Sequence, residues 1–304
     1  MTDASAISIC SVTKCFGDVT AVNGLDLNVP QGSLIGFLGP NGAGKSTTIR
    51  MIMSIIYPDQ GEIKVLGRTA LDAKDRIGYL PEERGLYRRM KVKEFLRYIG
   101  RLKGMDRAAA DQSAKSWLED LELPEALTRR CEELSKGQQQ KVQFVATVLH
   151  DPELIVLDEP FSGLDPVNGA LLAKVIGKLH SEGRTIVFST HVLHQAEQLC
   201  DRIFLIDHGI KLLDDRIDLI RDRFRQRIVI VDLANTATLE PIAGTRAVTT
   251  DDTGRRIELH VDETVDQHDI MRRVLESTDV RGVALREPML EDIFSQLVGA
   301  EAIA

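Results

Sequence analysis

The length and composition of the chain are those of a globular protein of about two domains. Its 304 residues are 43% hydrophobic and 28% charged, which excludes a disordered chain, a fibrous repeat and a disulfide-stapled miniprotein. The formal net charge of −8 argues against a protein that coats nucleic acid or anionic lipid. Its four cysteines form no C-x-x-C pair, so we expect reduced thiols in the cytosol rather than a zinc or disulfide framework.

Membrane insertion is not expected from the hydropathy pattern. No stretch approaches the ~18–20 uninterrupted apolar residues that cross a bilayer. The N-terminus, MTDASAIS, has neither the basic nor the apolar region of a signal peptide. We therefore expect a cytoplasmic chain that does not enter a membrane by itself.

Two kinds of strand pattern alternate along the first two thirds of the chain. Short segments that alternate apolar and polar residues indicate half-buried strands of an antiparallel sheet; these are residues 7–14, 25–29 and 63–66. Almost wholly apolar runs flanked by helical patterns indicate parallel strands covered on both faces; these are residues 34–38, 154–157, 186–188 and 203–206. The pattern predicts an α/β core with an antiparallel β subdomain.

Two further regions differ from this core. From about residue 88 to residue 150 the pattern is helical and poor in glycine, which predicts a helical insertion. The last region predicts a small α+β unit with a strand at 227–233, a hairpin of 247–250 and 256–260 around Asp252 and Gly254, a helix at 267–276, a strand at 280–285 and a helix at 289–298. We predict a core domain over residues 1–220 and an accessory domain over residues 221–304.

A phosphate-binding motif follows the first apolar strand. Residues 39–46 read Gly-Pro-Asn-Gly-Ala-Gly-Lys-Ser, match G-x-x-x-x-G-K-[ST], and precede a helical run at residues 47–56. Glycines let backbone N–H groups wrap phosphates at a helix N-terminus, Lys45 adds a positive charge, and the Ser46 hydroxyl can ligate Mg²⁺. We predict a site for the phosphates of a nucleotide and Mg²⁺ formed by Gly39, Pro40, Asn41, Gly42, Ala43, Gly44, Lys45, Ser46 and Thr47.

Two carboxylates stand at the end of the apolar run 154–157. This placement aims Asp158 at the metal and Glu159 at the γ-phosphate. Glu159 would then act as the general base for the attacking water. The pair predicts hydrolysis of the bound nucleotide.

The motif between these two identifies the family. Residues 134–138, Leu-Ser-Lys-Gly-Gln, closely resemble the L-S-G-G-Q signature of ATP-binding cassette (ABC) ATPases, and Gln138 lies 20 positions before Asp158, as in that family. Residues 162–165, Ser-Gly-Leu-Asp, resemble the D-loop of the family. His191 resembles the switch histidine, and Phe16 resembles the aromatic residue that stacks on adenine. The chain is therefore similar to the nucleotide-binding subunit of an ABC transporter.

This resemblance implies a P-loop fold of the ABC type and Mg²⁺-dependent ATP hydrolysis. It implies that Ser135 and Gly137 contact the γ-phosphate on the phosphate loop of a second copy, in a head-to-tail homodimer, and that Gln138 and Asp165 are further nucleotide-binding residues. It also implies that His191 stabilises the γ-phosphate. Transport would require a separate membrane permease whose cytoplasmic helix docks between the core and the helical insertion.

Two residues depart from the family pattern. Lys136 replaces the second signature residue, which is normally glycine. Glu82 stands where most cassettes have the glutamine of the Q-loop; it can bind water or Mg²⁺ but adds a charge. Glu82 and residues 286–294 together resemble the export-type subfamily that includes sodium- and drug-extrusion ATPase subunits. We therefore expect an exporter subunit, peripheral at the cytoplasmic face of the membrane.

Two alternatives remain open from the sequence. ABC ATPases that act on nucleic acid or the ribosome usually have tandem cassettes, long coiled-coil insertions or zinc motifs, none of which occurs in this sequence. A sugar-type importer subunit would have a longer, all-β regulatory tail. We expect no nucleic-acid partner.

Overall fold

The computed structural model describes residues 5–83, 85–223, 227–235, 239, 241–249, 255–262, 264–286 and 289–298. The chain divides into two compact units, Met1–Arg216 and Ile217–Ala304. Over these described ranges, no helix combines the length and the apolar character that crossing a membrane requires.

The first unit contains both kinds of strand that the sequence predicts. Its strands are β1 (Ser5–Phe16), β2 (Val19–Pro30), β3 (Leu34–Leu38), β4 (Gln60–Val65), β5 (Ile77–Leu80), β6 (Leu154–Asp158), β7 (Thr185–Thr190), β8 (Arg202–Asp207) and β9 (Ile210–Arg216). Its helices are α1 (Lys45–Ile52), α2 (Val92–Leu102), α3 (Arg107–Asp120), α4 (Lys136–Val148), α5 (Pro166–Ser181) and α6 (Leu193–Leu199).

The central sheet has the strand order β5-β6-β7-β3-β8-β9. Its strands are parallel except β9, which pairs antiparallel with β8. Every residue of β3, β6 and β7 is buried, which confirms the interpretation of the apolar runs as covered strands. The sequence pattern did not predict β5, which has only four residues, or β9, whose edge position leaves most residues partly or fully exposed.

The second sheet is antiparallel, with the order β2-β1-β4, and confirms the predicted β subdomain. One hydrophobic core joins the two sheets: Ile7 and Leu27 of this sheet are buried in the same cluster as Phe37 and Phe204 of the central sheet. The Phe37 and Phe204 rings stack with their centroids 4.9 Å apart. This core fixes β3, from whose end the predicted phosphate loop begins.

The helical insertion is present as α2, α3 and α4, and it is anchored to the core sheet by polar contacts. The Lys103 ammonium donates to the Lys74 carbonyl (2.6 Å) and to the Ile77 carbonyl (2.8 Å). His150, after α4, contacts the Ile77 carbonyl through Nε2 at 3.1 Å. Burial lowers the pKa of His150 to about 4, so its ring is neutral at physiological pH.

The helix predicted at residues 47–56 is shorter than expected and starts earlier. It begins at Lys45 and ends at Ile52. Ser54 lies in the left-handed region with φ +54°, and the N–H groups of Ile55 and Ile56 both donate to the Arg50 carbonyl. This backbone conformation cannot continue the α-helix. Residues 53–56 therefore form a turn after the helix, although their sequence continues the apolar pattern.

The second unit is the small α+β fold that the sequence predicts. Its elements are α7 (Ile217–Arg223), β10 (Arg227–Leu233), β11 (Thr245–Thr249), β12 (Arg256–Val261), α8 (Gln267–Ser277), β13 (Val280–Arg286) and α9 (Leu290–Val298). The antiparallel sheet has the order β11-β12-β10-β13, so the predicted hairpin forms. The predicted turn residues Asp252 and Gly254 lie outside the described residues.

Two clusters stabilise this unit. Ile270 and Val274 of α8 are buried against Val229 and Val231 of β10. Near the end of β13, the Arg286 guanidinium donates to Glu258 at 2.8 Å and to Asp292 at 2.7 Å. Residues 286–294, which contain the subfamily resemblance, therefore include a structural ion network.

The turn between β8 and β9 packs tightly against the start of α1. The Gly209 N–H donates to the Ala43 carbonyl, and the Asn23 N–H donates to the Gly209 carbonyl, both at 2.9 Å. Gly209 has φ +74°, and a Cβ there would lie 2.7 Å from the Ala21 carbonyl oxygen. Only glycine fits this turn without displacing neighbouring backbone.

We expect Gly209→Ala to lower the free energy of unfolding by about 1–3 kcal/mol more than Gly104→Ala, because overpacking adds to the backbone strain. Gly104 is the matched control: its φ is +86°, but no heavy atom lies within 4 Å of an added Cβ. Chemical denaturation followed by circular dichroism measures both variants. Equal losses would mean that the turn can move away from Ala21 at no cost.

Candidate nucleotide-binding site

A cavity of about 260 Å³ opens where the predicted phosphate loop enters α1. The loop and the first turn of α1 supply one wall through Asn41, Gly42, Gly44, Lys45, Ser46 and Thr47. The other walls come from Ala21 on β2, from Glu82 after β5, and from Asp158 and Glu159 at the end of β6. The structure thus brings the phosphate loop, the two carboxylates and the Q-loop position together in one site.

The loop backbone leaves the N-terminus of α1 open to a ligand. Gly44 is the N-cap residue, with φ +104°, and a Cβ there would lie 2.5 Å from the Ala21 carbonyl oxygen. Within the described part of the chain, no side chain caps this helix, and its first turn contains no acidic residue. Its first N–H groups and the helix dipole are therefore suited to bind an anion such as a phosphate.

The Lys45 side chain spans this loop. Lys45 is only 7% exposed, and its ammonium donates to the Gly39 carbonyl (2.6 Å) and to the Pro40 carbonyl (2.9 Å). Burial lowers the pKa of Lys45, although the nearby Glu159 and Asp158 carboxylates oppose this effect. An ammonium has three donors, so Lys45 keeps one for a phosphate oxygen.

Asp158 is fixed by a residue on the neighbouring strand. Asp158 is 3% exposed, and its Oδ1 accepts a hydrogen bond from the Ser189 hydroxyl on β7. The Glu159 N–H donates to the Ser189 Oγ and to the Ser189 carbonyl, each at 3.2 Å. The sequence analysis missed Ser189. The sequence signal that could have identified Ser189 is its position directly after the apolar run 186–188, which predicts a parallel strand. The structure places it in register with Asp158.

Glu159 is held in a strained backbone conformation with its carboxylate oriented. Its φ is +49°, in the left-handed region that non-glycine residues rarely occupy. Glu159 Oε1 lies 2.9 Å from His191 Nδ1 and also accepts a hydrogen bond from the backbone N–H of His191 at 3.1 Å. The Glu159 side chain is 14% exposed, whereas that of His191 is 59% exposed. The structure therefore places His191 beside the predicted base.

The segment that bears Glu82 is attached to the helical insertion. The Gln143 amide of α4 donates to the Pro81 carbonyl (3.2 Å) and to the Glu83 carbonyl (3.1 Å). These two contacts hold the backbone on both sides of Glu82, whose side chain is exposed and lines the cavity. Gln143 is a second residue that the sequence analysis missed.

The chemistry of the cavity fits Mg²⁺ bound together with phosphates. Ser46, Asp158 and Glu82 offer a hydroxyl and two carboxylates, the oxygen ligands that Mg²⁺ prefers. Among the described residues, no group of three or more His, Cys, Asp or Glu is arranged to hold a metal ion. A few protein oxygens are sufficient for Mg²⁺, since it keeps several waters and also binds substrate phosphates.

The signature residues Ser135, Gly137 and Gln138 do not line this cavity. Ser135 is the N-cap residue of α4: its Oγ accepts the Gln138 N–H at 3.3 Å, and Gln138 Oε1 accepts the Ser135 N–H at 3.0 Å. Ser135 and Lys136 are exposed. The signature therefore forms an accessible helix N-terminus separate from the phosphate loop.

Asp165 and Phe16 also lie outside the cavity lining. Asp165 is the N-cap residue of α5 and accepts the N–H groups of Val167 and Asn168, each at 3.0 Å. These backbone hydrogen bonds lower the pKa of Asp165. Phe16 ends β1 and is 51% exposed.

Two family models match the chain. The model described as ABC transporter matches residues 22–162. The model described as the C-terminal domain of DrrA1-3-like ATP-binding proteins matches residues 216–298. The first match lies within the first compact unit, and the second match begins at the boundary residue 216 and otherwise lies within the second unit.

Similar proteins and structures agree with these matches. An uncharacterized ABC transporter ATP-binding protein of Bacillus subtilis, YhaQ, is 40% identical over 97% of this chain and 99% of its own length. A Nod factor export ATP-binding protein I of Rhizobium sp. is 33% identical over 97% and 98%.

Among solved structures, an ATP-binding subunit of an ABC transporter has a TM-score of 0.68 and 29% identity, over 72% of this chain and 93% of that chain. The dimeric bacterial ABC transporter cassette MJ0796 has a TM-score of 0.65 and 25% identity, over 69% and 98%. The sequence and structural similarities agree with the phosphate loop and carboxylates gathered in one cavity. The chain belongs to the ABC transporter family, as an ATP-binding subunit that hydrolyses ATP.

Proposed function

We propose that this ATPase subunit works as a head-to-tail pair of copies, with each ATP between the phosphate loop of one copy and the signature of the other. The observation that carries the proposal is that Ser135 and Gly137 begin α4 outside the cavity that contains Lys45 and Glu159. In a closed two-fold pair each copy supplies both halves, so two equivalent sites form. A solved cassette of similar fold that is dimeric supports the pairing of two copies.

Four polar residues of the cavity, together with His191 beside it, have roles in the proposed reaction. Lys45 and the loop N–H groups bind the β- and γ-phosphates, and Ser46 and Asp158 would hold Mg²⁺. When bound, Mg²⁺ neutralises charge on the phosphate oxygens. Glu159 takes a proton from water as the water oxygen attacks the γ-phosphorus, the bond to the bridging oxygen breaks, and ADP and phosphate leave. We assign the His191 ring, protonated on both nitrogens, to orienting Glu159 through Nδ1–H and to donating Nε2–H to the γ-phosphate.

We further propose that ATP hydrolysis drives export through a separate membrane permease, which selects the transported substrate. The relatives named as Nod factor export ATP-binding proteins support this direction. In this proposal residues 1–220 form the ATPase domain, and residues 221–304 form an accessory domain. The subunit would lie at the cytoplasmic face of the membrane, held there by the permease.

Glu159→Gln tests the base. We expect the variant to bind ATP with nearly unchanged affinity and to hydrolyse it about 10²–10⁴ times more slowly, because the amide keeps the shape but cannot accept the proton. Size-exclusion chromatography should show an ATP-dependent dimer. Adding Lys45→Ala to Glu159→Gln is the control, which should remove that dimer. Hydrolysis within about threefold of wild type would contradict the assignment.

Glu82→Gln tests the metal site. We expect unchanged ATP affinity but a Mg²⁺ concentration for half-maximal ATPase activity that is about tenfold higher, because an oxygen ligand near the metal loses its charge. Glu83→Gln is the matched control, since Glu83 is also exposed but does not line the cavity. Superimposable Mg²⁺ curves for wild type and both variants would exclude Glu82 from the metal site.

Cell fractionation tests the membrane partner against the nucleic-acid alternative. We expect the native chain to sediment with membranes and to be released by alkaline carbonate, because it would be held by a protein contact. Recovery with ribosomes or nucleoid instead would contradict the transport proposal.

A further inference from the structure

An ion pair connects the tip of the β1–β2 hairpin to the segment before β4. The Lys14 ammonium lies 2.8 Å from Asp59 Oδ1, and Asp59 Oδ2 accepts the Cys15 N–H at 2.7 Å. The Asp59 N–H in turn donates to the Thr13 carbonyl at 2.9 Å. One acidic residue from the segment before β4 thus fixes both the backbone and a side chain at the end of β1.

This ion pair places a cation against the ring of Phe16. Lys14 Nζ lies 5.5 Å from the Phe16 ring centroid, within the range of a cation–π contact. The Lys14 side chain is only 16% exposed, although its two neighbours in the contact are about half exposed: Phe16 is 51% exposed and the Asp59 side chain 46%. The Cys15 N–H and Lys14 lower the pKa of Asp59, so its carboxylate is charged at neutral pH. The cation–π contact with Lys14 therefore restrains the half-exposed ring of Phe16.

The restrained ring is close to the nucleotide cavity in the fold. Lys14 pairs with Val22 and Cys15 pairs with Thr20 across the hairpin. Ala21, between those two partners, lines the cavity. At the hairpin end Phe16 pairs with Val19, which is 66% exposed, so the two form an exposed apolar pair beside the cavity wall.

We propose that Asp59 and Lys14 are positioning residues for the adenine base: Asp59 holds Lys14 against one face of the Phe16 ring and leaves the other face for the base. This inference rests on the proposed role of Phe16 in nucleotide binding. An exposed aromatic side chain that is already ordered loses less conformational entropy when a ligand stacks on it. The pair therefore acts on recognition of the adenosine part of the nucleotide and not on the phosphates.

Inhibition of ATP hydrolysis by ADP and by inorganic pyrophosphate separates recognition of adenosine from recognition of the phosphates. ADP contains adenosine and pyrophosphate does not. We expect Lys14→Met and Asp59→Asn each to raise the inhibition constant of ADP and the KM for ATP about two- to fivefold, as loss of an exposed cation–π contact does. The inhibition constant of pyrophosphate and kcat should stay within about 1.5-fold, and Lys14→Arg should restore ADP binding.

Glu62→Gln is the matched control. Glu62 forms an exposed ion pair with Lys64 on β4, at 3.0 Å, and its removal should change none of these constants. If Lys14→Met weakens ADP and pyrophosphate equally, the lysine acts through its charge on the phosphates and the proposal is wrong. Unchanged ADP inhibition in both Lys14→Met and Asp59→Asn would also overturn it.

Phe16→Ala separates this inference from the proposed function. If Phe16→Ala weakens ADP and the two positioning variants do not, only the roles of Asp59 and Lys14 fail. If Phe16→Ala leaves ADP inhibition unchanged, the assignment of the adenine site to Phe16 fails, and the inference fails with it. Hydrolysis and pyrophosphate binding report separately on the phosphate site in every variant.

Discussion

The close approach of three backbone segments at the start of α1 is the constraint on which the site depends. Gly44 and Gly209 both press against the Ala21 carbonyl, so the phosphate loop, β2 and the β8–β9 turn meet without side chains between them. This packing fixes the side of the loop that contacts β2 and the β8–β9 turn, and the first N–H groups of α1 remain available on the cavity side. The buried core around Phe37 packs both sheets against each other and supports β3, from which the phosphate loop begins.

The parallel pairing of β3, β6 and β7 brings the polar residues at their C-terminal ends close together. Because β3, β6 and β7 run in the same direction, their C-terminal ends share one edge of the sheet, where the loop, Asp158 and Ser189 meet. Asp158 is buried, and its Oδ1 accepts a hydrogen bond from the Ser189 hydroxyl. Glu159 turns out of the strand through a strained φ and is fixed by His191. Such conformations persist only where the surroundings enforce them, and here Ser189 and His191 hold Glu159.

The other residues that the sequence predicts to bind the nucleotide lie in separate places. The signature caps α4 in the helical insertion, whereas the Phe16 ring lies at the tip of the antiparallel sheet, held by Lys14 and Asp59. Gln143 connects the insertion to the segment that bears Glu82, so a movement of α4 would move a residue of the cavity wall. These hydrogen bonds connect the insertion directly to the wall of the candidate nucleotide site.

The sequence by itself determined the phosphate loop, the carboxylate pair and the fold class, because strand periodicity and glycine spacing are local properties of the chain. It misplaced the end of α1, because a left-handed Ser54 ends the helix although the apolar pattern continues to residue 56. Only the tertiary structure decided the contacts of Ser189, Gln143, Gly209 and the Lys14–Asp59 pair. The partners of these residues are distant in sequence, by 45 residues for Lys14 and Asp59, and no local pattern encodes which segments the folded sheets bring together.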